Sequence, residues 1–214
     1  MPQSPHAALA ALASLGDRTR QALYDHVASA RTPVTRDAAA HAVGVDRSVA
    51  AYHLDRLVED GLLVPSFARP EGRTGPGAGR PAKQYERAPG EISVSLPPRS
   101  YDVLAELLAT AVEGDTTGSV RDVLHDAAAA LGARMAAHGG DVAGALAEQG
   151  FEPYQDGDVL RLANCPFHQL ARRHTELVCS MNLSLMSALA DAADADLRPQ
   201  LDPAPGRCCV AFTR

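Results

Sequence analysis

Long apolar runs are missing from this chain of 214 residues, and so is a secretion signal. No run approaches the roughly 18 apolar residues that a membrane-spanning helix needs, and no basic segment followed by an apolar core stands at the start. Because 46% of the residues are hydrophobic and only 21% are charged, the composition argues against wholesale disorder. We therefore expect a folded, cytoplasmic protein without a membrane partner.

Lysine and cysteine are scarce, and both are unevenly placed. Lys83 is the single lysine among 20 basic residues. The four cysteines all lie in the last 50 residues. A disulfide scaffold would spread its cysteines along the chain, so thiols gathered at one end of an intracellular protein favour metal or redox chemistry.

An overall excess of positive charge is also missing, since the formal net charge is -6. The two parts of the chain differ, however: residues 1–90 carry +2 and residues 91–214 carry -8. A mildly basic part joined to an acidic part is typical of a DNA reader attached to a sensing or dimerising body. Ordinary surface variation can give the same asymmetry.

Capping and turn residues in the first part predict two helices joined by a tight turn. Asp17 can cap one earlier helix, and Thr35 can cap a short helix that runs to about residue 42. Gly44 can take the positive φ of a tight connection. Asp46 can then cap another helix that runs to about residue 60. This order is a helix-turn-helix.

The last of these helices has one apolar and one polar face. At 100° per residue the apolar arc contains Val49, His53, Leu54, Leu57 and Val58. We expect His53 to be a core residue because it lies on this arc. Small and hydrogen-bonding side chains on the opposite arc suit the DNA major groove. The predicted DNA contacts on this helix are Arg47, Ser48, Ala51, Tyr52 and Arg56. Asp55 is not among them because phosphates would repel it.

Two short strands follow, and a segment rich in Pro, Gly and Arg separates them. Leu62 to Val64 predicts the first strand, and Lys83 to Arg87 predicts the second, around Tyr85. Such a hairpin forms a wing, whose cationic side chains can bind the sugar-phosphate backbone. The predicted wing contacts are Arg69, Arg73, Arg80 and Lys83. Taken by itself, the segment between the strands also suits a disordered linker.

Four stretches carry a resemblance to a known family. They are LGDRTR at 15–20, VAAYHL at 49–54, EDGLL at 59–63 and GRPAKQY at 79–85. Together they resemble winged-helix repressors of the ArsR-like superfamily, and the last stretch resembles the SufR-related branch. The resemblance implies a winged helix-turn-helix domain over residues 1–90 that binds operator DNA.

The segment 91–140 predicts a connecting strand and two helices. Residues 91–96 alternate in polarity, as in a strand, and apolar spacing predicts helices over 100–113 and 119–138. The apolar face of the second helix is expected to contain Val120, Val123, Leu124, Leu131 and Met135. These helices suit a dimer seam or an internal core, and DNA half-sites favour a two-fold homodimer.

The cysteines belong to a predicted sensor domain over residues 141–214. A hairpin turn at Asp156-Gly157-Asp158 leads to a strand that ends near Cys165, a long helix carries Cys179, and a last strand begins at Cys208-Cys209. Cys165 and His168 have the spacing C-x-x-H, which can chelate one metal centre. Adjacent cysteines rarely ligate one centre together, so Cys208 is the first choice and Cys209 the second.

The sensor segment carries a resemblance of its own. The stretches CPFH at 165–168 and HTELVC at 174–179, with a late cysteine before a strand, are similar to the sensor domain of SufR-like regulators. The resemblance implies that Cys165, Cys179 and Cys208 bind an iron-sulfur cluster, of the 4Fe-4S type, with His168 or His174 as fourth ligand. Here the second gap between cysteines is longer than in that family, and the last cysteine is doubled.

The sequence therefore predicts a mainly helical α+β protein in which a winged helix-turn-helix precedes an α+β sensor and dimerisation domain. The predicted function is a homodimeric transcription regulator, acting as a repressor, whose DNA affinity depends on the cluster. Zinc or a thiol-redox switch in the same pocket is an alternative, and so are plain buried thiols. An enzyme with Cys165 as nucleophile is disfavoured because no oxyanion glycine motif, phosphate loop or third partner accompanies it.

Overall fold

The computed structural model describes residues 5–68, 81–95, 97, 99–138 and 141–214. The chain divides into two compact units, Met1–Arg99 and Ser100–Arg214, and each combines helices with a small antiparallel sheet. The predicted α+β class is confirmed, and the segment predicted over residues 91–140 includes the point in the chain where the first unit ends and the second begins. Among the described helices, none is both long and apolar enough to cross a membrane.

The first unit contains four helices and three strands in its described residues. In chain order they are α1 (Pro5–Ser14), α2 (Arg18–Ser29), β1 (Val34–Thr35), α3 (Arg36–Val43), α4 (Arg47–Glu59), β2 (Leu63–Ala68) and β3 (Ala82–Arg87). The strands form an antiparallel sheet in the order β1-β3-β2. Both strands predicted on either side of the Gly-rich segment are thus present and paired.

Local sequence signals explain where these helices begin and end. The Asp17 carboxylate accepts from the backbone N–H of Arg20 at 2.9 Å, and the Thr35 hydroxyl accepts from that of Ala38 at 3.2 Å. Gly44 has φ 72 and ends α3 in the left-handed conformation. Asp46 occupies the cap position of α4, but its side chain makes no capping hydrogen bond.

The buried face of α4 differs by one position from the predicted arc. Leu54 and Leu57 are buried as expected, and Ala50 is buried with them. Val49 was predicted on this arc, but 39% of it is exposed. The helix therefore packs through the small Ala50, which lets its first turn lie close to the core. Val49 moves to the accessible surface.

The strand predicted over residues 91–96 is not formed in residues 91–95, and Leu96 lies outside the described residues. Ile92 packs against the core of the first unit, but Val94 is exposed. A strand needs a hydrogen-bonded neighbour, and neither sheet of the described chain pairs with this segment.

The second unit contains five helices and four strands in its described residues. They are α5 (Tyr101–Gly114), α6 (Ser119–His138), α7 (Val142–Glu148), β4 (Pro153–Asp156), β5 (Val159–Leu162), α8 (His168–Ala171), α9 (Thr175–Ala192), β6 (Arg198–Leu201) and β7 (Val210–Thr213). The strands form an antiparallel sheet in the order β4-β5-β7-β6. The hairpin turn predicted at Gly157 is confirmed, with φ 60.

Helices α6 and α9 form the main helix pair of this unit. Gly132 of α6 lies against the backbone of α9: a Cβ there would overlap the carbonyl oxygen of Leu185 and come within 3.0 Å of the Leu189 nitrogen. The two helices can approach this closely because glycine has no side chain. Phe151, Leu162 and Phe212 close the same core from the hairpin and the sheet.

A row of large apolar side chains on α5 and α6 is exposed, and we call it the apolar face. Its members are Val103, Leu104, Leu107 and Leu108 on α5 and Val120 and Val123 on α6. Val120, Val123 and Leu131 were predicted to share one apolar side of α6 with Leu124 and Met135, but all three are exposed. The buried side of α6 consists of Ala128, Gly132 and Met135, so Met135 is the buried member of the predicted face.

Candidate functional site

The first turns of α4 present an accessible polar surface in the first unit. Arg47 and Ser48 are exposed, and 66% of Tyr52 is exposed. Ala51 is half-buried beside them. His53, predicted as a core residue, is only half-buried, and the Arg20 Nε donates to its Nδ1 at 3.4 Å. The predicted DNA-contacting positions near the start of α4 are therefore largely open to a partner.

Both arginines of the predicted DNA surface on α4 have carboxylate partners. Arg47 pairs with the exposed Asp37 on α3. Arg56 contacts Glu59 at 3.3 Å and Asp60 at 3.2 Å. Exposed ion pairs such as Arg47–Asp37 and Arg56–Glu59 contribute only about 0 to 1 kcal/mol, so a phosphate can replace Asp37 or Glu59 at small cost. The Asp60 side chain is only 8% exposed, so the Arg56–Asp60 pair is not of this kind.

Lys83 lies in a different environment from the arginines. Its Nζ is 2.6 Å from the Asp55 carboxylate and 5.1 Å from the centre of the Tyr85 ring. The Tyr85 hydroxyl donates to the same carboxylate at 2.7 Å, and the Arg36 guanidinium lies 3.5 Å from that hydroxyl. Lys83 was predicted as a phosphate contact, but its side chain links β3 to Asp55 of α4.

This network lowers the pKa of Asp55. Burial acts to raise that pKa, but the hydrogen bonds from Lys83 and Tyr85 outweigh it. The pKa of Tyr85 is raised, mainly by burial. Sequence reasoning treated Asp55 only as a residue that phosphates repel, and missed that it fastens the hairpin to α4. The buried Tyr85 on β3 was the available signal.

Three predicted wing contacts, Arg69, Arg73 and Arg80, lie outside the described residues. Their roles stay predictions. The described strands on either side place residues 68 and 82 opposite each other in the antiparallel ladder. The segment that carries these arginines therefore starts and ends at one end of the β2–β3 hairpin.

The cysteines of the second unit come from three neighbouring parts of the fold. Cys165 follows β5, Cys179 lies on α9, and Cys208 and Cys209 precede β7. The Cys208 N–H donates to the carbonyl of Leu162 at 3.0 Å, which fixes the last cysteines beside the end of β5. The Asp202 N–H donates to the carbonyl of Cys209 at 2.7 Å.

Ion pairs hold the loop that delivers these two residues. The Asp202 carboxylate pairs with Arg161 of β5 and lies 3.0 Å from the Arg207 guanidinium. These contacts lower the pKa of Asp202, with the Arg161 hydrogen bond as the main cause. The loop between β6 and β7 is thereby tied to β5, and Cys208 is fixed in place next to it.

The four thiols influence one another. The pKa of Cys165 is raised well above its usual range, chiefly by its interaction with the Cys208 thiol and then by burial. The interaction with Cys165 acts to lower the pKa of Cys208, but Cys209 and burial outweigh it and raise the value to about 11. Burial raises the pKa of Cys179, and the interaction with Cys209 partly offsets this increase. None of the four cysteines forms a disulfide.

A buried asparagine accompanies the thiols. Asn182 lies on α9 with 0% exposure, and its Nδ2 donates to the Cys208 sulfur at 3.6 Å. Its Oδ1 is buried without a hydrogen-bond partner among the described residues. Sequence reasoning missed this residue. The signal was an amide three positions after Cys179, within the apolar stripe of a long helix.

The donor set suits an iron-sulfur cluster by its chemistry. Such clusters are held chiefly by cysteine sulfur, and here several sulfurs and a buried amide donor meet in one partly buried place. Among the described residues, however, no three His, Cys, Asp or Glu side chains are arranged around the position of a single metal ion. Coordination of a single zinc ion would require these side chains to move.

The two histidines proposed as fourth ligands lie in different surroundings. His168 is exposed at the first position of α8. His174 is buried, with Nδ1 2.7 Å from Glu113 and Nε2 3.2 Å from Glu106, both on α5. Glu113 is the main cause of its raised pKa. Because both ring nitrogens of His174 contact carboxylates, this side chain serves to join α9 to α5 here.

In comparisons with known proteins, no family model, no curated protein and no solved structure matches this chain.

Proposed function

We propose that this protein is a homodimeric, DNA-binding transcription regulator, acting as a repressor in the cytoplasm, whose operator affinity is controlled by an iron-sulfur cluster bound to cysteine. In this proposal the first unit is a winged helix-turn-helix, with α4 as recognition helix and β2–β3 as wing. The second unit binds the cluster and dimerises. The single observation on which the sensing function depends is the convergence of thiols from β5, α9 and the start of β7.

The accessible start of α4 supports DNA binding. Ser48 and Tyr52 can reach base edges, while Arg47 can exchange its exposed partner Asp37 for a phosphate. The tight turn at Gly44 and the Asp55 network fix α4 between α3 and β3. Because α4 is fixed to the elements on both sides, it can enter a major groove as a rigid body.

The proposed cluster ligands are Cys165, Cys179 and Cys208, with His168 as an exposed candidate for the fourth position. When bound, a cluster supplies a redox-active, oxygen-sensitive centre. The protein's part is to hold the three sulfurs on elements that pack together, so that gaining or losing the ligation changes the relative stability of two conformations of the second unit.

Anaerobic purification with iron, sulfide and zinc analysis tests the sensing half of this proposal. We expect broad visible absorption and matching amounts of iron and sulfide, both lost in Cys179→Ser. Cys→Ser keeps the size of the side chain but removes the soft sulfur ligand. A colourless wild-type protein without iron would contradict the proposal, and stoichiometric zinc in its place would establish the zinc alternative.

DNA binding is tested separately with sequences selected from a random pool. We expect Arg47→Ala to weaken binding almost equally across sequences and to reduce the salt slope by about 1, since one phosphate contact is lost. Tyr52→Ala should change the preferred sequence. Ala substitution at Asp25, an exposed residue of α2, is the control. Equal behaviour of the Arg47 and Tyr52 variants would contradict their assigned roles.

A thiol switch is the second candidate function, and the contact between Cys165 and Cys208 favours it. The thiol that most affects the pKa of Cys165 is that of Cys208, so these two thiols are the expected disulfide partners. A peroxide would oxidise the two thiols to one disulfide and be reduced to two molecules of water or alcohol and water. Peptide mapping after peroxide treatment should then identify the Cys165–Cys208 bond.

A further inference from the structure

Asn182 occupies a position that packing alone does not explain. It lies in the core of the second unit with 0% exposure, and Leu185, Met186 and Leu189 follow it on the buried side of α9. Its Nδ2 donates one N–H to the Cys208 sulfur, and its Oδ1 has no hydrogen-bond partner among the described residues. A buried amide in this state is destabilising compared with an apolar side chain of similar branched shape, such as leucine.

The direction of the hydrogen bond indicates what the amide does. A neutral thiol is a weak acceptor, whereas a thiolate bound to a metal carries negative charge and accepts a stronger, charge-assisted hydrogen bond. Asn182 reaches Cys208, which is 1% exposed, and its contact is with the first of the two adjacent cysteines. Cys209 is only half-buried. The amide therefore gives a structural reason to choose Cys208 over the adjacent Cys209.

We propose that Asn182 is a positioning residue of the sulfur site: its Nδ2–H bond to Cys208 orients that sulfur as the ligand in preference to Cys209 and withdraws electron density from it. This inference rests on the proposed iron-sulfur function. Outer-shell donors orient metal ligands, and hydrogen bonds to ligand sulfurs are among the features that set a cluster's reduction potential. Removing the donor leaves a more electron-rich sulfur and a centre that is oxidised more easily.

The experiment compares wild-type full-length protein with Asn182→Leu and a matched control, Ser184→Ala. Ser184 lies two residues further along α9, and its Oγ is 2.7 Å from His125 Nδ1 on α6. The control thus removes a side-chain hydrogen bond from the same helix without touching a thiol in the described contacts. Each protein is purified anaerobically, and its iron, sulfide, midpoint potential and rate of bleaching in air are measured.

We expect Asn182→Leu to have a more negative midpoint potential and to bleach severalfold faster in air, while Ser184→Ala matches the wild type. If Asn182→Leu does not fold, Asn182→Asp replaces the same N–H by an oxygen with little change of shape, and the same shift is expected. If the wild type binds a cluster and the folded variant has the same potential and bleaching rate, the inference is wrong. The proposed function is then unaffected.

Serine variants at the adjacent cysteines test the choice of sulfur. We expect Cys208→Ser to lose the cluster and Cys209→Ser to retain it, and the reverse result would overturn the inference. A wild-type protein without iron and sulfide would overturn both this inference and the proposed function. The results therefore separate a failure of the asparagine's role from a failure of iron-sulfur binding.

Discussion

At the scale of single residues, Gly132 decides how closely α6 and α9 approach. We expect Gly132→Ala to destabilise the fold by about 3 kcal/mol, at the upper end of the usual cost of overpacking, because the new methyl group meets backbone that cannot rotate away. Denaturant unfolding measures the change. Gly114→Ala at the end of α5 is the control, since a Cβ there meets nothing within 4 Å. Equal stability of the two variants would contradict this packing.

Asp55 gives a second prediction at this scale, and it concerns pH. The folded pKa of Asp55 lies below that of the unfolded chain, so the ionised carboxylate stabilises the fold above about pH 4. That contribution is lost as the pH falls through the folded value. We expect Asp55→Asn to lower stability at pH 7 by about 1 kcal/mol, a typical net hydrogen-bond contribution, and to reduce the acid dependence.

Urea unfolding of the wild type and of Asp55→Asn between pH 2 and 7, chosen to span the carboxylate range, measures this difference. Asp25→Asn is the matched control because Asp25 is exposed on α2. The two curves should converge at low pH, where Asp55 is protonated in both folded and unfolded chains. A constant difference at every pH would show that the substitution acts through packing and not through ionisation.

At the scale of elements, the apolar face of α5 predicts self-association. Leu104, Leu107 and Leu108 are each more than half exposed in the single chain, and apolar patches of this kind mark interaction surfaces. We expect Leu107→Arg to shift the dimer toward monomer by at least tenfold in dissociation constant, because it places a charge inside the interface. Sedimentation equilibrium measures this shift.

Asp102→Arg provides the control for this face. It also places an arginine on α5, but about 140° around the helix from Leu107. We expect this variant to remain dimeric. An unchanged association constant for Leu107→Arg would mean that the dimer, if formed, uses another surface.

At the scale of the whole molecule, the proposal requires the sulfur site and the DNA surface to be coupled. Coupling between two binding sites typically changes affinity by about 5- to 150-fold. We expect operator DNA to be bound with affinities that differ by a factor in this range between cluster-loaded and cluster-free protein. Fluorescence anisotropy at fixed ionic strength measures both, since salt alone changes DNA affinity strongly.

Cys179→Ser is the control for coupling. It should bind DNA with a single affinity, equal to that of the cluster-free wild type, whether or not iron and sulfide are supplied. If the loaded and cluster-free wild-type proteins bind DNA equally, the two units act independently and the regulatory part of the proposal is wrong.

The elements themselves were largely predictable, because local rules determine them. Asp17 and Thr35 cap helices as expected, Gly44 and Gly157 take positive φ, and α6 spans the predicted residues 119–138. Capping and turn preferences depend on a few neighbouring residues, so one sequence is enough to find them. The strand predicted over residues 91–96 does not form in residues 91–95, because a strand also depends on a distant partner.

The amino-acid sequence alone thus determined where helices start, where turns occur, and which residue types are available to bind metal or DNA. Tertiary packing decided which of those residues meet. It placed Cys165 beside Cys208, brought Asn182 to the same sulfur, turned His174 toward two glutamates and tied Lys83 to Asp55. Each of these pairs joins residues far apart in sequence, and only the packing of helices and strands around a common core fixes such distances.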